Sequence, residues 1–133
     1  MPPKIHTTEI KVRYAETDKM GIVYYANYLV WFEVGRTEYL FAQGLDYCDV
    51  EKDGLFMAVV ESNCVYKAPA LYADIIVIHT WPSDVRSSSL KFNYKVLRKK
   101  DGLLLAEGYT THVLIDKDVK PRKIPEKIKS LLT

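Results

Sequence analysis

A chain of 133 residues, 48% hydrophobic and without a linker-like shift in composition, is long enough to bury one core, and a single domain 1–133 is expected. Lys and Arg number 19 against 17 Asp and Glu, so the net charge of +2 gives no electrostatic argument for a nucleic-acid partner. The opening MPPKIHTTEI lacks the apolar run of a signal peptide and no stretch reaches bilayer length, which predicts a soluble cytoplasmic protein with no membrane span.

The segment from Lys4 to Tyr14 is rich in Ile, Thr, Val and Tyr in loose alternation and reads as a strand. A loop with charge and Gly21 follows, and it carries Asp18. Asn27 stands as the N-cap of a helix that runs through YLVWFEVGRTEYLFAQ to a stop at Gly44, about 24 Å long at 1.5 Å per residue. Its polar residues, Glu33, Arg36, Thr37 and Glu38, make only a narrow stripe, so the helix is expected to be wrapped by a curved sheet. One short helical turn is expected in LDYCDVEKDG. Four strands then come without an intervening helix: Leu55 to Tyr66, Asp74 to Trp81, Arg86 to Arg98 and Leu103 to Ile115. The last two are joined by Lys99-Lys100-Asp101-Gly102, a hairpin signal. Successive strands beside one long helix make the class α+β with an antiparallel sheet. The tail predicts a turn, a Pro-bracketed extended piece and a short terminal helix.

A carboxylate in a turn just ahead of a helix N-terminus is a chemically suggestive pairing. The first N–H groups of a helix have no intrahelical partner and carry partial positive charge, so they suit an oxygen that becomes negative, while Asp18 can act as a base or a nucleophile. An aspartate that merely caps its own turn is the plainer reading of the same residue. No G-x-S-x-G, G-x-x-x-x-G-K or G-x-G-x-x-G occurs, so serine-hydrolase, P-loop and Rossmann chemistry lack their core motifs. His6, His79 and His112 fall on three separate strands and no ligand spacing links them, so no metal is expected. Cys48 and Cys64 have neither a disulfide framework nor metal spacing and read as small core residues. The 10 tyrosines are not arranged in an RNA-binding signature. Two basic patches remain: Arg86 followed by Ser87, Ser88 and Ser89, and the lysine-rich tail. Both are ordinary solvated surface unless a phosphate is at hand.

The stretch RYAETDKMGIVYYANYLVWFEVGRTEYL, supported by YKAPALYADI, RSSSLKFNYKV and the tail's Pro-Arg-x-Ile-Pro, resembles the hot-dog acyl-CoA thioesterases of the 4-hydroxybenzoyl-CoA thioesterase and YbgC-like branch. The resemblance covers nearly the whole chain. It implies a five-stranded antiparallel sheet curled around the long helix, and hydrolysis of an acyl- or aryl-CoA thioester to free acid and coenzyme A without a metal or redox cofactor. The family's catalytic acid falls on Asp18, and its carbonyl-polarising backbone N–H on Tyr25, where many YbgC-like members have His. Arg86, Ser87 and Ser88 fall where the family holds the nucleotide phosphates of coenzyme A. Met57, Ala58 and Val59 fall on the strand that lines the acyl pocket of the neighbouring subunit. Such enzymes are homodimers or homotetramers with active sites at shared interfaces. A non-catalytic acyl-CoA binding or sensing module is the alternative, and a hot-dog dehydratase, which needs a catalytic His paired with an acid, ranks last.

Overall fold

The computed structural model describes residues 4–133. The single domain 1–133 and the reading of MPPKIHTTEI both reach residues 1–3, which lie outside the described residues. In chain order the elements are β1 (His6–Lys11), a 3-10 turn (Tyr14–Glu16), α1 (Asn27–Ala42), α2 (Tyr47–Lys52), β2 (Phe56–Tyr66), β3 (Ile75–Ser83), β4 (Ser89–Arg98), β5 (Leu104–Ile115) and α3 (Glu126–Leu131). The strands form one antiparallel sheet in the order β1-β3-β4-β5-β2, with α1 laid across one face. The expected hot-dog architecture is therefore the observed one. Among the described residues, no helix is long and apolar enough to cross a membrane.

Alternation at period two decides which side chains meet α1. Ile76, Ile78 and Thr80 of β3, Leu90, Phe92, Tyr94 and Val96 of β4, and Thr110, His112 and Leu114 of β5 are all buried. From the helix come Tyr28, Trp31, Phe32, Gly35 and Tyr39, spaced at three to four residues and so on one face. Phe32 stacks on Tyr94 with ring centroids 4.2 Å apart. Burying a side chain of that size contributes about 1.5–3 kcal/mol. At Gly35 the helix comes so close to the sheet that a Cβ there would stand 2.5 Å from Thr80 Oγ1 and 2.9 Å from Ile78 Cγ2.

Several boundaries differ from the sequence reading, each for a local reason. The first strand stops at Lys11 because Glu16 Oε1 captures the Arg13 N–H at 2.8 Å and turns the chain. Arg86, Ser87 and Ser88 precede β4 rather than opening it, since Arg86 N–H bonds to Ser89 O at 2.8 Å and closes a turn. Gly102 adopts φ +70° in the predicted hairpin. The wrapping of α1 is incomplete: Leu29, Val30 and Phe41 remain 39%, 48% and 50% exposed, because the sheet covers only one side of the helix. Strand β2 lies at a sheet edge, carries a bulge between Val59 and Glu61, and also exposes Val59, Val60 and Val65.

Candidate active site

The Asp18 turn is built by the Asp18 side chain. Its Oδ1 accepts the N–H groups of Met20 at 2.8 Å and Ile22 at 3.4 Å, and backbone bonds from Asp18 N to Ile22 O and from Gly21 N to Asp18 O close the loop. An aspartate suits this position because its short carboxylate reaches the amide two residues on. Its other oxygen, Oδ2, makes no hydrogen bond to a described residue. The loop is fastened to the segment after β2 by Val23 N–H donating to Ala70 O at 2.9 Å and by the pairing of Ile22 with Leu71.

Glu16 fixes this loop to α1. Its carboxylate is buried, and Oε2 accepts the Trp31 indole N–H at 2.9 Å while Oε1 holds Arg13 N. Its carbonyl accepts Tyr24 N–H and the Asn27 side-chain amide, each at 2.9 Å. Asn27 is thus not the N-cap expected from the sequence. Ala26 holds that position without a side-chain cap, because the Asn27 amide is turned back to Glu16.

The helix entrance has donors to spare. The N–H groups of Asn27, Tyr28 and Leu29 bond back to the carbonyls of Tyr24, Tyr25 and Ala26 at 3.0, 3.3 and 3.2 Å, whereas those of Tyr25 and Ala26 bond to no described residue. Asp18 and Tyr25 line one cleft of about 490 Å³, together with Ile22, Tyr28, Tyr66 and Lys67. The structure therefore brings the two expected catalytic positions together within one chain. A second cavity of about 640 Å³ holds Arg98 and Lys99, but these cations are already paired with Asp74 at 3.0 Å and Glu9 at 2.9 Å.

The other expected site residues lie elsewhere in the chain. Met57, Ala58 and Val59 open β2 opposite Leu114, Val113 and His112, and Arg86, Ser87 and Ser88 sit near the same end of the sheet, since Ser89 also pairs with Val113. Tyr66, at the cleft, ends β2. From Met57 to Tyr66 at about 3.3 Å per residue is about 30 Å, so one chain does not bring these two groups to Asp18. Arg86 is exposed, while the carbonyls of Ser87 and Ser88 accept Ile124 N–H at 2.7 Å and Leu114 N–H at 2.9 Å.

Cys48 is not the core residue expected: it is exposed in the first turn of α2, because Asp46 caps that turn by accepting its N–H. The same carboxylate pushes the Cys48 thiol pKa up, and burial does so for Cys64. His112 is fully buried, hydrogen-bonded through Nε2 to Thr110 Oγ1 at 2.7 Å, and burial followed by the nearby Arg36 pushes its pKa down to about 3. Among the described residues, no group of three or more His, Cys, Asp or Glu is placed to hold a metal ion.

The model of the thioesterase-like superfamily matches residues 12–132. The chain belongs to this superfamily. It is similar to YneP of Bacillus subtilis (strain 168), with 44% identity over 83% of this chain and 79% of that one. It is also similar to the acyl-CoA thioester hydrolase YbgC of Escherichia coli O157:H7, with 30% identity over 90% of this chain and 89% of that one. Among solved structures, DHNA-CoA thioesterase from Staphylococcus aureus superposes with a TM-score of 0.89 at 35% identity, covering 95% of this chain and 85% of that one. The expected enzyme class, a thioester hydrolase, agrees with these names.

Two residues of this superfamily member escaped the sequence reading. Glu16 lay inside a quoted motif, and the signal for it was Trp31: an indole N–H on a buried helix face needs an acceptor. Tyr66 also opens a quoted motif, YKAPALYADI, but nothing local gave its role, because its hydroxyl donates at 2.9 Å to Tyr25 O, 41 residues away.

Proposed function

We propose that this chain is a cytoplasmic acyl-CoA thioesterase, which hydrolyses an acyl- or aryl-CoA thioester to the free acid and coenzyme A. The observation that carries the reading is the shared cleft, lined by Asp18, which keeps one oxygen free, and by Tyr25, whose N–H is free at the helix entrance. Asp18 takes a proton from water through Oδ2, the water oxygen adds to the thioester carbon, the C–S bond breaks as the carbonyl re-forms, and the departing coenzyme A sulfur takes the proton from Asp18. With Asp18 as nucleophile, the same oxygen adds directly and water cleaves the resulting anhydride. Either route gathers negative charge on the carbonyl oxygen, which the Tyr25 N–H stabilises. A donor of this kind contributes about 3 to 4 kcal/mol to the transition state. The reaction calls on no metal or redox group. The tyrosines around the cleft suit a flat acyl group as well as an alkyl one.

The enzyme in this reading is a homodimer, or a pair of dimers, in which β2 pairs with β2 of a second copy. Three features support it: an 11-residue edge strand, its exposed valines, and the uncovered face of α1. Two copies of one edge strand paired antiparallel set the start of each against the end of the other. Met57, Ala58 and Val59 of the partner subunit then reach Tyr66 and the Asp18 cleft. Arg86, Ser87 and Ser88 of the partner subunit come to the same end, where they hold the nucleotide phosphates.

The test is a thiol-release assay over short, long and aromatic acyl-CoAs. Release of free thiol with at least one of them is expected. Binding of acyl-CoA without release from any of them assigns the chain to the alternative class, a binding or sensing module.

A further inference from the structure

The two free N–H groups at the α1 entrance are held by the peptide planes to which they belong. In a trans peptide unit the C=O and N–H point in opposite directions, so whatever fixes the oxygen aims the hydrogen. The Tyr25 N–H shares a plane with the Tyr24 carbonyl, which accepts Asn27 N–H at 3.0 Å. The Ala26 N–H shares a plane with the Tyr25 carbonyl, which accepts Tyr28 N–H at 3.3 Å. Both oxygens point into the helix and both hydrogens point out of its open end. The second plane has the weaker internal anchor, since 3.3 Å is beyond the usual N–H···O range.

We propose that Tyr66 is a positioning residue for the oxyanion site, its hydroxyl holding the Tyr25 carbonyl so that the Ala26 N–H joins that of Tyr25 as a second donor to the developing oxyanion. The inference rests on the thioesterase reading for its chemistry and on three observations for its geometry. The Tyr66 hydroxyl donates to Tyr25 O at 2.9 Å, a shorter bond than the one within the helix. The Tyr66 ring is braced edge-on against Tyr28 at 5.0 Å and against Tyr25 at 6.5 Å. Tyr28 is itself buried, and its hydroxyl accepts Ala70 N–H at 3.2 Å. The brace therefore runs from β2 through Tyr66 to the helix entrance, and makes no hydrogen bond to Asp18 itself. Burial first, and Cys64 second, push the Tyr66 phenol up to about 12, so it remains a protonated donor throughout the neutral range.

Tyr66→Phe keeps the ring and removes only the oxygen. With an acyl-CoA that the wild-type protein turns over, kcat is expected to fall about tenfold, less than the loss of a whole oxyanion donor, with KM for the same substrate within about twofold. Thermal stability and the shape of the pH-rate profile are expected to stay as in the wild type, because the base is untouched. In ¹⁵N-labelled protein the Ala26 amide signal is expected to shift and to exchange faster with solvent. Turnover within about twofold of wild type overturns the proposal, and so does a rise in KM at constant kcat, which marks direct substrate contact instead. If the wild-type protein releases no thiol from any acyl-CoA, the thioesterase reading is what fails. The amide measurement then decides alone whether Tyr66 holds the peptide, and an unshifted Ala26 signal overturns that too.

Discussion

The Glu16 carboxylate accepts the Trp31 indole N–H at 2.9 Å, and through this one bond a loop that turns back on itself is tied to the second turn of the long helix. Glu16 is 5% exposed and Trp31 1%, so removing the carboxylate strands the indole N–H away from water and releases the part-buried Arg13 N–H. Glu16→Ala is expected to cost about 1 to 3 kcal/mol in a urea titration, the cost of one buried donor left unpaired. Glu16→Gln keeps one acceptor oxygen but sets its NH2 against the other donor, so it is expected to recover only part of that loss. Equal stability of the alanine variant and the wild type would show that water replaces the carboxylate without loss.

Asp18→Asn keeps the Oδ1 contacts to Met20 and Ile22 and removes the base. Turnover is expected to fall about a hundredfold, with thermal stability close to wild type. Undiminished thiol release from this variant takes Asp18 out of the mechanism and leaves it as a turn residue only.

Arg86→Ala is expected to raise KM for an acyl-CoA and to leave the same acyl group on truncated pantetheine unaffected, since the truncated substrate has no nucleotide phosphate to lose contact with. The comparison is run at one ionic strength, because an exposed cation is screened by salt. A parallel loss on both substrates places Arg86 away from the nucleotide.

His112 makes stability depend on pH. Its folded pKa lies near 3 against an ordinary 6.5, so the unfolded chain binds a proton that the folded one refuses between those values. The stabilisation is complete above pH 6.5 and drains as the pH falls toward 3, with a slope of at most about 1.4 kcal/mol per pH unit from this group. Unfolding midpoints measured at pH 7 and pH 5 are expected to differ less in His112→Gln than in the wild type. The same difference in both proteins assigns the pH dependence to the carboxylates.

Much of the architecture was legible in the sequence because it is written in local periodicity. Ile76, Ile78 and Thr80 alternate with less buried neighbours, and Tyr28, Trp31, Phe32, Gly35 and Tyr39 recur at helical spacing, so strand and helix could be read without knowing what they touch. Asp18 and Tyr25 were singled out through the single stretch RYAETDKMGIVYYANYLVWFEVGRTEYL, and the fold sets both on one cleft. Glu16 and Tyr66 were not singled out, because their meaning lies in partners 15 and 41 residues away that the fold alone supplies. The half-covered state of α1 was hidden for a related reason: a helix that is apolar all round looks the same in sequence whether its own sheet or a second chain covers the far side. Cys48 reads as buried by residue type, yet the Asp46 cap places it at an exposed turn.

Gly35 has a consequence for how widely the cleft can adapt. With no clearance even for a methyl group over Thr80 and Ile78, the long helix is seated on a hard floor and can neither sink nor roll to admit a bulkier guest. Accommodation of acyl groups of different girth must therefore come from the rim: the short span between Asp18 and Ile22 and the tyrosine rings. Breadth or narrowness of substrate choice is then a property of the lip of the vessel, while its base stays the same for every guest.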